Sequence, residues 1–176
     1  MCVDMGSPPT FLAEIVQRLA TDVIYTNALG IGCRGVWIKP NKDGVHYVWR
    51  LPWMEGIMVD LVSSYNPQVR ITNSYLELAA LLLQEATVTF VRTNPMWQAP
   101  FTRSNNKTTV AWMFQEASSV ILAVAGLPRL RSLINRQFKI TSSVFYHSGT
   151  QNTMADDSFR KFHLAPDIFL SLFSTT

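Results

Sequence analysis

The chain has 176 residues, of which 48% are apolar and 15% are charged. That length suits one domain with a substantial core, and the apolar fraction argues against a disordered chain. The net charge of +3 permits a nucleic-acid partner but does not require one, because no run of consecutive basic residues is present. Two cysteines, without a CxxC motif or a Cys/His cluster, argue against a disulfide framework and a zinc site.

The chain shows no targeting pattern. The N-terminal stretch MCVDMGSPPTFLAEIVQRLATD lacks the basic region, apolar core and cleavage site of a signal peptide. The most apolar window, ASSVILAVAGLPRL, is too short and too interrupted to span a bilayer. We therefore expect a soluble intracellular protein, in the cytoplasm or nucleus, with no membrane partner and no disulfide partner.

The first predicted elements are a helix and three strands. SPPTFLAEIVQRLA is typical of an amphipathic helix, with Thr10 as its N-cap. DVIYTNALGIGCRGVWIKP contains two short β-rich runs, Val23–Tyr25 and Val36–Ile38, and VHYVWRLPW is a third. Their short connections predict an antiparallel meander.

Helices and strands then alternate. ITNSYLELAALLLQEATV is the strongest helix signal, with Ser74 as a candidate N-cap and Glu77 at the capping-box spacing. QAPFTRS and KITSSVFYHS predict strands, and TTVAWMFQEA, LPRLRSLINRQF and TQNTMADDSFRKFHL predict helices. The order β-β-β-α-β-α-α-β-α predicts an α/β fold: a mixed five-stranded sheet, antiparallel on one side and parallel on the other, flanked by helices.

Three polar side chains follow predicted strands of the sheet. Asn27 comes after the first strand, Asn105 after the fourth and His147 after the fifth. Ligands of such sheets gather beyond the carboxyl ends of the parallel strands. The sequence therefore predicts a ligand site that brings these three residues together.

Four motifs occur in a definite order: TNALGIGCRGVW, TNSYLELAALLL, SNNKTTVAW and HSGTQNTMADD. Together they resemble the ribonuclease H family. More narrowly, they resemble the RNase H-like domain at the end of reverse transcriptases encoded by retrotransposons of fungi and oomycetes. The resemblance divides the chain into an N-terminal helix or linker (1–21), an RNase H-like domain (22–164) and an apolar C-terminal tail (165–176).

The resemblance implies a site of four carboxylates that hold two Mg²⁺ ions and hydrolyse the RNA of an RNA–DNA hybrid. The family's carboxylate positions fall on Asn27, Glu77, Asn105 and Asp156. His147 matches the first residue of the family's His-x-Gly motif and is a further candidate for a role in the site.

Two of the four family positions are therefore neutral, because Asn27 and Asn105 stand where the family has aspartates. The formal charge of the site falls from about −4 to about −2, against about +4 for two Mg²⁺ ions. We expect catalysis to be impaired, with Glu77 and Asp156 binding metal only weakly. Arg34 in place of a usual glycine, and Tyr75 in place of an acidic residue, depart from the family pattern as well.

A basic stretch, RLRSLINRQFK, is predicted to be helical. Its cations are candidates for binding the phosphates of an RNA–DNA hybrid or another nucleic acid; they are Arg129, Arg131, Arg136 and Lys139. A solvated helix face is the alternative interpretation.

Two further functions stay open. One is a nucleic-acid-binding or interaction module that retains the fold without the chemistry. The other is a residual Mg²⁺-dependent endonuclease, in which Asp60 or Asp157 joins the two surviving carboxylates. Glu77 could also be only a capping-box residue, and Asp156 could only complement the dipole of the last helix.

Overall fold

The computed structural model describes residues 22–38, 46–91, 99–115, 122–149, 161 and 163–171. The strands in these ranges are β1 Asp22–Leu29, β2 Gly32–Ile38, β3 His46–Pro52, β4 Pro100–Ser104 and β5 Ser143–Tyr146. The helices are α1 Glu55–Val59, α2 Asn73–Val91, α3 Lys107–Gln115, α4 Leu122–Phe138 and α5 Pro166–Ser171. The predicted N-terminal helix, and most of the predicted helix that contains Asp156, lie outside the described residues.

The five strands form one sheet in the order β3-β2-β1-β4-β5. The pairs β1–β2 and β2–β3 are antiparallel, whereas β1–β4 and β4–β5 are parallel. This arrangement confirms the predicted mixed sheet. The pairing of β1 with β4 ends at Tyr25 and Arg103, although β1 itself continues to Leu29. The sheet therefore opens between these two strands at their carboxyl ends.

Helix α2 covers one face of the sheet. Because side chains alternate along a strand, Ile24 and Ala28 of β1 point to the same face, and both are buried against α2 in clusters that include Ala80 and Val88. Among the described helices, α2 is the one long and apolar enough to cross a bilayer by length and composition. Half of its apolar window is buried inside the protein, where α2 packs on the sheet.

Helix α2 and the Trp49 side chain pack closely over the middle of β2. Trp49 of β3 donates its indole N–H to the Gln84 side chain of α2. The indole passes over Gly35, which is paired with Trp49 across the two strands. A Cβ atom at Gly35 would collide with both side chains, so this position requires a residue without one.

Three local features differ from the sequence prediction. Helix α2 begins at Asn73, and the Thr72 carbonyl accepts its first backbone bonds, so Ser74 lies inside the helix and does not cap it. Helix α4 begins at Leu122, before the predicted start, and contains Pro128. The short helix α1 was not predicted.

The predicted apolar tail contains helix α5. Phe169 of this helix is buried, and the Arg50 guanidinium lies 4.7 Å from the centre of its ring. Because paired residues of β2 and β3 share a face, Arg50 and its partner Arg34 start from the face opposite α2. Helix α5 therefore packs on the second face of the sheet.

Candidate functional site

Asn27 and Asn105 come shortly after the last paired residues of two neighbouring parallel strands. Tyr25 pairs with Arg103; two residues further on are Asn27, still inside β1, and Asn105, the first residue after β4. Ser104 pairs with Tyr146, and Asn105 and His147 are the next residues along the two chains. Asn105 and His147 therefore follow neighbouring strands as predicted, whereas Asn27 lies inside β1, which continues to Leu29.

One backbone hydrogen bond and one close approach position the segment after β5 next to the end of β4. The His147 amide donates to the Ser104 carbonyl at 2.9 Å. An added Cβ atom on Gly149 would lie 3.8 Å from Nδ2 of Asn105. The His-x-Gly motif therefore runs directly past Asn105.

The glutamate of α2 reaches the same region from the other face. Glu77 is 1% exposed, and its Oε1 accepts the Ala28 amide at 3.1 Å. Ala28 lies in the part of β1 that extends beyond its ladder with β4. The Glu77 carboxylate thus accepts a hydrogen bond from the β1 amide one residue after Asn27, where β1 and β4 separate.

Cys33 faces this carboxylate from β2, where it pairs with Ala28. Burial, and to a lesser extent the charge of Glu77, raises the pKa of the Cys33 thiol from 9.0 to about 12. The thiol is therefore neutral at physiological pH, and it behaves as a small apolar core residue rather than a nucleophile.

Arg34 is a buried cation beside the site. It pairs with Asn27 across β1 and β2 and is fully buried. Asn27 itself is 5% exposed. A permanently charged side chain therefore starts next to Asn27, on the same face of the sheet.

Aromatic rings and a cation flank the site on β1, β4 and β5. The Arg103 guanidinium donates to the Tyr25 hydroxyl at 3.1 Å, and the Tyr25 and His147 rings meet edge to face at 5.6 Å. Between β4 and β5, the rings of Phe101 and Phe145 stack with their centroids 4.1 Å apart. These contacts orient His147 by packing against Tyr25.

Asn106, next to Asn105, forms hydrogen bonds at the start of α3. Its Oδ1 accepts the Thr109 amide at 3.0 Å, and its Nδ2 donates to Ser74 Oγ at 3.2 Å. Thr109 Oγ1 also donates to the Ser74 carbonyl at 3.0 Å. Asn106 therefore caps α3 and ties its start to the start of α2. Sequence reasoning missed this role, although asparagine directly before a helix is a recognised N-cap signal.

The arrangement of strands and helices has counterparts among solved structures. LC11-RNase H1, solved in complex with an RNA/DNA hybrid, matches with a TM-score of 0.58 and 14% sequence identity, over 77% of this chain and 91% of that chain. RNase H1 from the halophilic archaeon Halobacterium salinarum matches with a TM-score of 0.51 and 13% identity, over 77% of this chain and 92% of that chain. The chain has the RNase H fold.

A viral polyprotein contains a similar domain. The prototype foamy virus protease–reverse transcriptase matches with a TM-score of 0.50 and 9% identity, over 89% of this chain and 22% of that chain. No protein-family model matches the sequence, and no curated protein matches it. At these identities the similarity establishes the RNase H fold alone.

The described part of the RNase H-like site does not fit a two-metal centre. Among the described residues, no group of three or more His, Cys, Asp or Glu side chains could hold a metal ion. Glu77 supplies one carboxylate, and the side chains of Asn27 and Asn105 are neutral amides. Mg²⁺ favours anionic oxygen ligands and loses its waters reluctantly, so amides replace carboxylates poorly.

The sequence offers three other acidic candidates: Asp60, Asp156 and Asp157. Asp156 and Asp157 lie outside the described residues. Asp60 is exposed at the C-terminal end of α1.

The basic helix is only partly a surface feature of this fold. Arg131 is buried, its Nε lies 2.7 Å from Glu85 Oε1, and its Nη2 donates to the Ser142 carbonyl at 2.8 Å. The prediction that Arg131 shares one solvated face with the other cations is therefore wrong, because its guanidinium is committed to the core. The exposed cations of α4 and its C-terminal end are Arg129, Arg136 and Lys139.

Proposed function

We propose that this chain is an RNase H-like domain derived from a retroelement reverse transcriptase polyprotein, and that it binds RNA–DNA hybrid or a related nucleic acid without efficient cleavage. One observation carries the proposal. Asn27 lies two residues before the end of β1, Asn105 directly follows the parallel neighbour β4, and Glu77 accepts the amide of Ala28 next to Asn27; the family resemblance expects aspartates at positions 27 and 105. The resemblance to retrotransposon domains of fungi and oomycetes rests on the four sequence motifs.

Loss of charge supports impaired catalysis. Asparagine has nearly the shape of aspartate, so the fold tolerates the exchange, but each replacement removes one unit of negative charge. The family expectation is Mg²⁺, which supplies the hydrolytic chemistry when bound. Glu77 and Asp156 would be the carboxylates left at family positions, and two carboxylates are too few for a pair of divalent ions.

Nucleic-acid binding has two supports. The fold matches that of LC11-RNase H1, which was solved with an RNA/DNA hybrid. In addition, Arg129 in the middle of α4, Arg136 in its last turn and Lys139 directly after it are exposed, so they can contact backbone phosphates. Such contacts give binding with little sequence preference and a strong dependence on salt.

The decisive experiment is a hybrid-cleavage assay in Mg²⁺ and in Mn²⁺. We expect the wild type to cleave no faster than background. Asn27→Asp combined with Asn105→Asp should increase metal binding, whereas either single reversion should not suffice, because each leaves the site one anion short. Cleavage by the double variant can stay weak, because in-line attack requires close positioning. Robust Mg²⁺-dependent cleavage by the wild type, abolished by Glu77→Gln, would overturn the proposal of impaired catalysis.

Binding is tested separately by fluorescence anisotropy with a labelled hybrid. Replacing Arg129, Arg136 and Lys139 by alanine should weaken binding and reduce the slope of log K against log salt by about 3, roughly one unit for each lost phosphate contact. Gln137→Ala, an exposed change on the same helix, is the matched control and should leave both quantities unchanged. Equal affinity of the triple variant and the control would exclude this binding surface.

A further inference from the structure

A positively charged side chain lies among aromatic rings on the face of the sheet opposite α2. Arg103 of β4 pairs with Tyr25 of β1 on one side and with Phe145 of β5 on the other. The guanidinium carbon of Arg103 lies 5.4 Å from the centre of the Tyr25 ring and 5.6 Å from the centre of the Phe101 ring. Paired residues, and residues two apart on one strand, share a face of the sheet. These four side chains therefore start from the same face as Asn27.

Arg103 has no carboxylate partner within the described part of the chain. Its Nη1 donates to the Tyr25 hydroxyl at 3.1 Å, and this is its one hydrogen bond there. Nε and Nη2 are not among the buried polar atoms that lack a partner, so solvent reaches them. A guanidinium is always charged, and its N–H donors can bind a phosphate through two parallel bonds. Arg103 thus has donors available for an anion, unlike Arg131, whose guanidinium is committed to Glu85.

The rings beside Arg103 are accessible as well. Phe101 and Phe145 stack with their centroids 4.1 Å apart and their planes within 8° of parallel. Both are half-buried, as are Tyr25 and Arg103, and none of them belongs to the buried clusters between the sheet and its helices. Phe145 lies on β5, which is the edge strand of the five-stranded sheet. Rings and a cation on an open sheet face are what proteins use to bind single-stranded nucleic acid, because bases stack on the rings and phosphates pair with the cation.

This face continues to the end of the sheet where the candidate site lies. Arg103 precedes Asn105 by two residues, so their Cα atoms are no more than about 7 Å apart. The His147 ring meets the Tyr25 ring edge to face at 5.6 Å. A single strand that leaves Asn105 can therefore run back along β4, over Arg103 and then Phe101.

We propose that Tyr25, Phe101, Arg103 and Phe145 form a binding site for single-stranded nucleic acid. The Arg103 guanidinium binds a phosphate, and a base packs against the accessible side of the Phe101–Phe145 stack. The inference goes beyond the proposed function, because it assigns a second surface, on the other face of the sheet from α2 and the basic helix α4 that packs on it. It requires neither a metal nor the cations of α4.

The test measures fluorescence anisotropy with a labelled oligothymidylate of about 12 nucleotides, which offers bases and phosphates without a duplex. Phe145→Leu keeps an apolar side chain and removes the ring, so it should weaken binding by about fivefold or more with an unchanged salt dependence. Arg103→Gln should weaken binding and reduce the slope of log K against log salt by about 0.7, the value for one phosphate contact of a single strand. A blunt RNA–DNA hybrid should bind the Phe145→Leu variant as it binds the wild type.

Two matched controls make the same chemical changes elsewhere. Phe90→Leu removes a ring that is 93% exposed near the end of α2. Arg50→Gln removes a cation from the same face of the sheet, on β3, where it packs on Phe169. Each control should stay within about twofold of the wild type. Equal weakening by Phe145→Leu and Phe90→Leu, or by Arg103→Gln and Arg50→Gln, would overturn the proposal.

A second measurement uses the wild-type protein alone, so it does not depend on the folding of a variant. An oligonucleotide that carries 5-bromouracil is crosslinked by light, and the modified peptides are identified by mass spectrometry. Crosslinks are expected at Tyr25, Phe101 or Phe145, and crosslinks confined to α4 would contradict the proposal. Binding of the hybrid without binding of the single strand would refute this inference and leave the proposed function standing. Binding of the single strand alone would do the reverse.

Discussion

Arg131→Met removes the cation from a buried ion pair that joins α4 to α2. Nε of Arg131 lies 2.7 Å from Oε1 of Glu85, and Nη2 donates to the Ser142 carbonyl at 2.8 Å. The Glu85 side chain is 1% exposed, so the substitution leaves a carboxylate in the core without its ion pair. Removing one partner of such a pair costs about 3–5 kcal/mol of unfolding free energy.

The effect should be large in a melting experiment. In a domain of this size, about 1 kcal/mol shifts the melting temperature by about 2–4 °C, so the expected loss is roughly 6–20 °C. Circular dichroism with urea and with heat measures both quantities. The matched control is Arg129→Met, two residues earlier on the same helix and exposed, which should stay within about 0.5 kcal/mol of the wild type.

A double variant separates the buried charge from the simple loss of contacts. Glu85→Gln combined with Arg131→Met removes both charges and should recover part of the stability lost by Arg131→Met alone, because the uncompensated carboxylate is gone. If Arg131→Met is no more destabilising than Arg129→Met, the ion pair does not join the two helices as described. The same result would return Arg131 to the candidates for phosphate binding.

Three further predictions test the packing around the site. Gly35→Ala should destabilise the fold by about 1–3 kcal/mol in urea denaturation, because the added methyl group collides with the Trp49 indole. The control is Gly126→Ala, in open space on α4, which should be neutral or stabilising. Equal effects of the two changes would refute the close packing over β2. Asn106→Ala should cost about 0.5–2 kcal/mol by removing the cap of α3, and Asn106→Asp should retain it; equal loss in both variants would contradict the cap. The Cys33 thiol, with its pKa raised to about 12, should resist iodoacetamide at pH 8 until the protein unfolds, as measured by peptide mass spectrometry. Because the folded state holds the thiol proton more tightly than the unfolded state, the stabilising contribution of this thiol is full below about pH 9. It is lost as the pH rises through about 12. Rapid alkylation of the folded protein would refute its burial.

The order of elements was predictable because strands and helices differ in local periodicity. Alternating β-branched and aromatic residues identified all five strands, and the leucine-rich run identified α2. The extent of β1 was underestimated: the prediction ended at Tyr25, whereas the strand runs to Leu29. Residues 27 to 29, Asn-Ala-Leu, have little β propensity of their own, and their pairing with β2 holds them in the sheet.

The site shows the same division between local and distant causes. The position of Asn105 directly after β4 followed from strand order, whereas Asn27, predicted to follow the first strand, lies inside β1. The hydrogen bond of Glu77 could not be predicted from the sequence, because its spacing from Ser74 equally fits a capping box. The amide that it accepts belongs to Ala28, 49 residues earlier. Likewise, helical periodicity could not reveal that Arg131 is paired with a residue of α2, 46 positions earlier.

The bond between Glu77 and the Ala28 amide bears on how related sequences are to be judged. A glutamate that satisfies a buried backbone amide is maintained by selection for folding, even in a lineage that no longer needs nuclease activity. Its presence in a homologue is thus a weak marker of an active enzyme. Positions 27 and 105 are more informative, since exchange between aspartate and asparagine there changes the chemistry with little change of shape. Surveys of such domains should therefore classify them by these two strand-end residues before counting the glutamate.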